Sequence, residues 1–424
     1  MYKNIFAHDE MKRAEHMAVR ESVGWYYFTH QLIEVTGADV TAFLDYIYPN
    51  RIDNLAVGRD RYTVMLNDEG EIIDDVVVMR MDEDRYWIST LYGLKADDWF
   101  YFHSDDYDVD WTEVTEDWAM YAVQGPKSKE ALNKIVETPV DDLRFFAHAP
   151  NKIAGCDVIV NRGGFSGEKV GYEVYCAMDD YETVEKAIAD ACAELGGREV
   201  TEFQVFAWTL PTEAGFYYMR DLAHTNPFEV GLEKNINWDK DFIGKDALLK
   251  VREAGPEREM VGFVVTDPNE DFYIRSKQYG GAGEPVYIEG EEEEVGRVSK
   301  LVYSYVKDVN NGYILAKKDK LHVGDKVMVH GYEITITEKN WLLQHCSRAC
   351  AGVSSVRASD PHSTGRSHTR PPLLRAGCGV VPVGPACEMR GGHTGGPFQI
   401  HTLWQSYSAS RSERPNSCSK GYGF

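Results

Sequence analysis

The sequence predicts an α+β protein that ends in a small β-barrel and an unstructured tail. Residues 10–255 alternate segments of helical spacing with short apolar strands. After Gly255-Pro256, short strands follow one another without a long helix. From residue 346 the composition shifts to Ser, Gly, Pro, Arg and His. We therefore expect four regions, 1–120, 121–255, 256–340 and 341–424, with the first two interleaved in space.

Composition and charge exclude several classes of protein. A length of 424 residues predicts more than one domain. The formal net charge of −23 argues against a nucleic-acid partner, which would select a basic surface. No apolar run approaches the roughly 18 residues that span a bilayer, and the N-terminus lacks a secretory pattern. The sequence thus predicts a cytoplasmic protein without membrane or nucleic-acid partners.

The first region shows alternating helical and strand patterns. The segments with helical spacing are residues 10–24, 38–48 and 96–102. The segments that read as strands are residues 25–37, 61–66, 71–80 and 86–90. The turn Asn67-Asp68-Glu69-Gly70 joins two of these strands, so the sequence predicts a β-hairpin there.

The second and third regions differ in texture. In the second, strands are expected at residues 121–123, 158–161 and 172–175, and helices end at Val136 and span residues 180–195. In the third, strands are expected at residues 260–266, 284–288, 295–301, 312–315, 326–329 and 334–337. Their short, regular spacing predicts a small barrel or sandwich.

The tail after residue 345 differs in charge and cysteine content from the rest. It holds nine Lys/Arg against three Asp/Glu, and five of the eight cysteines. There is no CxxC pair or other ligand spacing, so we expect no metal site. A disordered interaction tail and the product of a frameshift both fit this composition, and the frameshift fits the abrupt switch better.

The stretch GEIIDDVVV, residues 70–78, places two carboxylates side by side in an aliphatic strand. Successive side chains of a strand point to opposite faces, so Asp74 and Asp75 face different surroundings. An unpaired buried carboxylate costs several kcal/mol, or its pKa rises. The pattern alone favours a structural carboxylate bonded to the hairpin backbone.

Six blocks in order carry a family resemblance. They are EHMAVRESVGWYYFTHQ, GRDRYTVMLNDEGEIIDDVVV, YAVQGPKSKEAL, NRGGFSGEKVGYEVY, NPFEVGLEKNINWDKDFIGKDAL and GRVSKLVYS. Together, over about residues 15–337, the chain resembles the folate-dependent aminomethyltransferase family of the glycine-cleavage T-protein. That family includes tetrahydrofolate-dependent demethylases. The resemblance implies a three-domain, cloverleaf-like fold that holds tetrahydrofolate in a central funnel.

The resemblance also implies roles for particular residues. It places Asp74 at the reaction centre, where a carboxylate stabilises developing positive charge at the pterin N5. It implies that Glu173 accepts hydrogen bonds from the N–H groups at the edge of the pterin, with Tyr175 on the same face of the strand. Further residues expected at the folate are Met65, Arg162 and Phe165. His30 and Tyr26 are the candidate proton donors, although a satisfied core histidine is the commoner state of such a residue.

Departures from the family pattern bear on the substrate. Pro211 stands where aminomethyltransferases have the Arg of LRLEAG, and Thr90-Leu91 stand where they have an Asn. We therefore expect a demethylase that moves a methyl group from a small-molecule O-, S- or N-methyl donor to tetrahydrofolate. The aromatic residues 25–28 could bind a methoxylated ring. The alternatives are an aminomethyltransferase acting on a lipoyl carrier protein and a non-catalytic folate-binding protein.

Overall fold

Helices and strands alternate up to residue 254 in the computed structural model, which describes residues 7–28, 30–265, 274–279 and 281–339. The strands in chain order are β1 (Gly24–Tyr27), β2 (Gln31–Thr36), β3 (Asp60–Leu66), β4 (Ile72–Asp82), β5 (Arg85–Thr90), β6 (Asp110–Glu113), β7 (Trp118–Gln124), β8 (His148–Ile153), β9 (Cys156–Asn161), β10 (Gly171–Ala177), β11 (Arg198–Glu199), β12 (Arg258–Val265), β13 (Pro285–Ile288), β14 (Glu294–Ser304), β15 (Val309–Lys317), β16 (Lys326–Val329) and β17 (Tyr332–Thr337). The α-helices are α1 (Glu10–Glu21), α2 (Val40–Ile47), α3 (Gly93–His103), α4 (Ser128–Asn133), α5 (Tyr181–Glu194), α6 (Leu210–Ala214), α7 (Met219–Leu222), α8 (Pro227–Val230) and α9 (Lys245–Ala254).

The strands form three sheets. Six strands pair in the order β11-β1-β7-β10-β9-β8, and five pair in the order β3-β4-β5-β2-β6. The strands β12-β15-β14-β13-β16-β17 close into a barrel, so the predicted C-terminal barrel is confirmed. The predicted boundaries at residues 120 and 255 stay a prediction. Strand β1, from the first predicted region, pairs with β11 from the second. The predicted tail, 341–424, lies outside the described residues.

The prediction of one strand over residues 25–37 is wrong. Strand β1 pairs with β7 in the six-stranded sheet, whereas β2 pairs with β5 and β6 in the five-stranded sheet. The backbone N–H of Phe28 still donates to Met120 O, at 3.0 Å, before the chain changes sheet. A run of strand-forming residues does not reveal which sheet each half joins, because that depends on distant partners.

The predicted hairpin is confirmed as β3 and β4. Asn67 N–H donates to Glu71 O at 3.0 Å, and Glu71 N–H donates to the Asn67 side chain at 2.8 Å. Gly70 has a φ of 76°, the left-handed conformation that a glycine adopts without strain. This turn fixes the register, with Met65 opposite Asp74 and Val64 opposite Asp75. The hairpin therefore decides which way each carboxylate points.

Helix α1 turns a partly polar face inward. Its N-cap, Asp9, accepts a hydrogen bond from Lys12 N–H at 3.0 Å. Its buried residues are Glu15, His16 and Val19, so two of the three need polar partners inside the protein.

Glu15 accepts from the Thr201 hydroxyl and from Glu202 N–H, whereas His16 contacts Glu213 on α6, which is fully buried. Its carboxylate accepts from Arg20 Nε at 3.0 Å and from the Ser304 hydroxyl of barrel strand β14 at 2.6 Å. His16 Nε2 lies 2.9 Å from the same carboxylate. Burial by itself raises the pKa of Glu213, but His16, Arg20 and Ser304 together outweigh it and lower that pKa to about 2. We call Glu213, His16, Arg20 and Ser304 the Glu213 hub.

Arg20 extends this hub to the glycine-rich loop after β9. It donates to Ser166 O at 2.8 Å and to Leu210 O at 2.9 Å, and it pairs with Glu168 at 2.6 Å. One guanidinium therefore joins α1, the start of α6 and the loop that carries Phe165.

Replacing Glu213 by Gln tests the hub. The variant replaces the buried anion beside Arg20 with a neutral amide, so the free energy of unfolding at pH 7 should fall by about 3 kcal/mol. Urea unfolding of the full chain measures it. The exposed pair Lys186–Asp190 supplies the control, since Lys186→Ala should change stability by less than about 0.5 kcal/mol.

The pH dependence of this difference follows from the pKa of Glu213. Because its folded pKa lies below the ordinary value of 4.5, its stabilisation is complete above that pH and is lost towards about 2. The gap between wild type and Glu213→Gln should therefore narrow as pH falls through this range. A gap that is absent at pH 7 would contradict the hub's role.

Candidate active site

Strand β4 sends its two carboxylates to opposite faces of the five-stranded sheet, as predicted. Asp74 is fully buried and shares the face of Val76 and Val78, which pack against helices α2 and α3. The Thr90 hydroxyl donates to Asp74 Oδ2, and Asp75 N–H donates to Asp74 Oδ1 at 2.9 Å. Burial raises the pKa of Asp74 to about 7, and the charge of Asp75 adds to this effect.

Asp75 lies on the other face and is half-buried. It accepts from the Tyr62 hydroxyl at 3.1 Å. Burial raises the pKa of Asp75 to about 6, although the bond from Tyr62 opposes the rise. Its strand neighbours on this face, Val77 and Met79, belong to the cluster of Tyr26, Phe28, Trp87 and Tyr175. Asp75, rather than Asp74, therefore faces the residues that the sequence singled out.

Glu173 of β10 is a second buried carboxylate. Its Oε2 accepts from Asn161 Nδ2 at 3.0 Å and from the Tyr175 hydroxyl at 3.1 Å. Tyr175 thus shares the face of Glu173, as strand geometry predicts. Burial raises the pKa of Glu173 to about 7, against the opposing hydrogen bond from Tyr175. A carboxylate held this way is set to bind donors of a ligand once it is ionised.

A continuous series of ring contacts runs along this face to Asp75. We call it the aromatic row, and its successive centroid distances are Phe206–Tyr26 4.6 Å, Tyr26–Phe28 6.0 Å, Phe28–His30 4.9 Å, His30–Phe165 6.1 Å and Phe165–Tyr62 6.2 Å. Phe206 sits on the π-helical turn Val205–Thr209, an irregularity common at functional sites. The row belongs to the apolar cluster that includes Val77 and Met79, and it ends at Tyr62, whose hydroxyl donates to Asp75.

Phe165 is placed by a loop fixed to Gln124. The Gln124 amide donates to Gly163 O and Tyr172 O, each at 3.0 Å, and accepts from the Ser166 hydroxyl at 2.6 Å. Gly164 has a φ of 140° and packs so closely on Gln124 that a Cβ would collide with the amide. The glycine-rich stretch therefore serves as a tight turn that presents Phe165.

The two candidate proton donors both lie in the aromatic row. His30 Nδ1 lies 3.0 Å from the Ser89 hydroxyl, and burial lowers the pKa of His30 to about 4. His30 is therefore neutral at pH 7. Burial, aided by Glu173, raises the pKa of Tyr26, so its hydroxyl keeps its proton. Trp25, from the same predicted aromatic cluster, packs in the opposite core with Tyr121 instead.

Two predicted folate residues lie away from the aromatic row. Met65 is fully buried in the core under α2, on the face of Asp74. Arg162 donates to Leu143 O at 2.8 Å, which directs its guanidinium towards the segment before β8.

Sequence reasoning missed two buried side-chain pairs. His148 Nδ1 lies 2.6 Å from Asp60 Oδ1, and Lys300 Nζ lies 2.9 Å from Asp221 Oδ2. The partners are separated by 88 and 79 residues, so no local signal could join them. The charge of Asp221 adds to the rise in the pKa of Asp75.

In the part of the chain that the structure describes, no group of three or more His, Cys, Asp or Glu side chains could hold a metal ion. No helix in these ranges is both long and apolar enough to cross a membrane.

Comparison with known proteins decides the family. Residues 2–240 match the family described as the GCVT N-terminal domain. The chain belongs to this aminomethyltransferase family. Similar relatives include an aminomethyltransferase of Thermotoga sp. (strain RQ2), 33% identical over 258 residues that cover 58% of this chain and 68% of the relative. Another, from Clostridium botulinum (strain Loch Maree / Type A3), is 33% identical over 267 residues, covering 60% and 70%.

A solved structure agrees at the level of the fold. The glycine cleavage system aminomethyltransferase T from Bartonella henselae superposes with a TM-score of 0.68, over 78% of this chain and 89% of that one. At 21% identity the likeness shows the fold. The predicted family, its α+β cloverleaf-like fold and its transferase class are thus confirmed for this GCVT-family chain.

Glu173→Gln should stabilise the unliganded protein at high pH. The raised pKa means that the folded chain binds more protons than the unfolded one, so this group lowers stability as pH rises from about 4.5 to about 7. A neutral Gln keeps acceptors for Asn161 and Tyr175. We expect a gain of about 2 kcal/mol at pH 8 and little change at pH 5, measured by urea unfolding.

The exposed Glu257 is the control, since Glu257→Gln should leave stability unchanged at both pH values. A loss of stability at pH 8 in Glu173→Gln would mean that the carboxylate is a structural partner rather than a ligand group.

Proposed function

We propose that this GCVT-family chain is a tetrahydrofolate-dependent one-carbon transferase that acts as a demethylase. The observation that carries the proposal is that half-buried Asp75 of β4 and buried Glu173 of β10 both lie beside the apolar cluster that the two sheets share. Tetrahydrofolate would supply the nucleophilic N5 that accepts a methyl group. A flat ring with donor edges fits an apolar wall flanked by acceptors.

Glu173 is proposed to bind the pyrimidine end of the pterin. A carboxylate accepts two neighbouring N–H donors at once, and burial strengthens such bonds. Asn161 and Tyr175 fix the carboxylate before ligand arrives, so little ordering is needed on binding.

Asp75 is proposed as the carboxylate at the reaction centre, in place of Asp74. Both oxygens of Asp74 are engaged by Thr90 and the Asp75 backbone on the far face. Asp75 is half-buried beside Tyr62, where an ionised carboxylate could stabilise positive charge that develops at N5. The transfer would form a bond between the methyl carbon and N5 and break the bond to the donor heteroatom, which would keep the electron pair. N5 would lose its proton, and the departing heteroatom of a neutral donor would gain one.

The choice of a demethylase depends on the departures from the family pattern. Pro211, buried in α6, supplies no charged group where aminomethyltransferases have an Arg. The Thr90 hydroxyl, at the position of the family's Asn, is committed to Asp74. The protonated Tyr26 hydroxyl can donate a hydrogen bond to a departing oxygen. Neutral His30 is separated from Tyr26 in the aromatic row by Phe28 alone.

A second candidate is aminomethyl transfer from a lipoyl carrier protein. It is favoured by the 33% identity to two proteins named aminomethyltransferase. A folate-binding protein without turnover is the third reading.

The product distinguishes these functions. The full chain is incubated with tetrahydrofolate and a panel of methyl ethers, sulfonium compounds and methylamines, and 5-methyltetrahydrofolate is measured by chromatography. We expect product with at least one small donor. Product formed only from an aminomethyl group on a lipoyl carrier would contradict the demethylase, and folate binding without any product would contradict both transferases.

The neighbouring carboxylates supply a matched pair of variants for the same assay. Asp75→Asn should lower kcat by about 100-fold or more while changing the Kd for tetrahydrofolate little. Asp74→Asn removes a buried charge on the far face and should keep kcat within about 10-fold of wild type. The reverse order of effects would return the catalytic role to Asp74.

A further inference from the structure

A row of buried polar side chains crosses three strands beside Glu173. In the register of the six-stranded sheet, His148 of β8 lies opposite Asn161 of β9, which lies opposite Glu173 of β10. Directly opposite residues of antiparallel strands present their side chains on the same face. All three are at least nine-tenths buried. Asp60, at the start of β3, joins this row through His148.

Two oxygen atoms in this row have no donor. Asn161 gives its amide N–H to Glu173, which leaves Asn161 Oδ1 buried and without a hydrogen-bond partner in the part of the chain that the structure describes. Asp60 Oδ1 bonds to His148 Nδ1, and Asp60 Oδ2 is likewise buried without a hydrogen-bond partner among the described residues. A buried acceptor without a donor costs about 1–3 kcal/mol, so such atoms commonly mark a ligand or a bound water.

Asn161 bonds to Glu173, and Asp60 is linked to the same row of residues through His148. The charge of Asp60 raises the pKa of both Glu173 and Tyr175. Glu173 Oε2 already accepts two hydrogen bonds, from Asn161 and Tyr175. The other oxygen of the Glu173 carboxylate, Asn161 Oδ1 and Asp60 Oδ2 are therefore acceptors beside Tyr175, which packs in the same cluster as Tyr26.

We propose that Asn161 and Asp60 are further ligand-binding residues that, with Glu173, read the amino-pyrimidinone edge of the bound ring. This inference rests on the proposed folate site. Such an edge carries a ring N–H and an exocyclic NH₂, so it presents three hydrogen atoms to acceptors on one side. His148 is a positioning residue that holds Asp60 in place. Guanine carries the same edge, so the experiment below must distinguish a pterin ligand from a guanine ligand.

Loss of one acceptor should weaken only ligands that carry its donor. The test measures Kd by isothermal titration for tetrahydrofolate, for its analogue with a methyl group in place of the 2-amino group, and for guanosine. Asn161→Ala should raise the Kd for tetrahydrofolate about 10-fold and change the Kd for the analogue by less than about 2-fold. The ratio of the two Kd values should therefore fall. Asp60→Asn should act in the same direction. A purely structural role would weaken both ligands equally, which would overturn the proposal.

Asn311 supplies a matched control, because its Oδ1 is also buried without a partner among the described residues but lies on barrel strand β15. Asn311→Ala should leave all three Kd values unchanged. Asn161-dependent binding of guanosine that is tighter than that of tetrahydrofolate would overturn the assignment to folate. If tetrahydrofolate binding depends on Glu173 but not on Asn161 or Asp60, this inference fails alone. If wild type binds no folate, the proposed function fails first.

Discussion

The buried carboxylate of Glu213 is the contact on which the rest of the structure depends. It joins α1 through His16 and Arg20 to the barrel through Ser304, and Arg20 carries the connection on to the glycine-rich loop. A buried anion is stable only when its partners stay in place, so the hub couples distant elements of the chain. This affects the candidate site, because Arg20 and Gln124 both bond to Ser166 and so fix the position of the neighbouring Phe165.

The ionised carboxylate of Glu213 stabilises the fold, whereas ionised carboxylates at the candidate site destabilise it. The charges around Glu213 lower its pKa, whereas burial raises the pKa of Asp75 and of Glu173. The Glu213 carboxylate contacts the guanidinium of Arg20, the imidazole of His16 and the hydroxyl of Ser304. Asp75 and Glu173 accept only from hydroxyl and amide donors. Partly satisfied acids beside one apolar cluster are the expected sign of groups that bind a ligand. This contrast separates a structural acid from a functional one.

Local patterns predicted much of the fold but less of the site. The hairpin turn at Asn67–Gly70 and the regular strand spacing of the barrel are local signals, and both predictions are confirmed. Alternation also predicted that Asp74 and Asp75 face apart, but not which face meets Glu173, because that depends on packing between sheets. The pairs Asp60–His148 and Asp221–Lys300 and the change of sheet after Tyr27 depend on partners far away in sequence.

The most direct test of the account is a crystal structure of the full chain with tetrahydrofolate. The reduced ring should lie against the aromatic row, with its amino-pyrimidinone edge at Glu173 and N5 within about 3 Å of Asp75, or joined to it by one water. A ring bound on the face of Asp74, or one whose N5 points away from Asp75, would contradict the account.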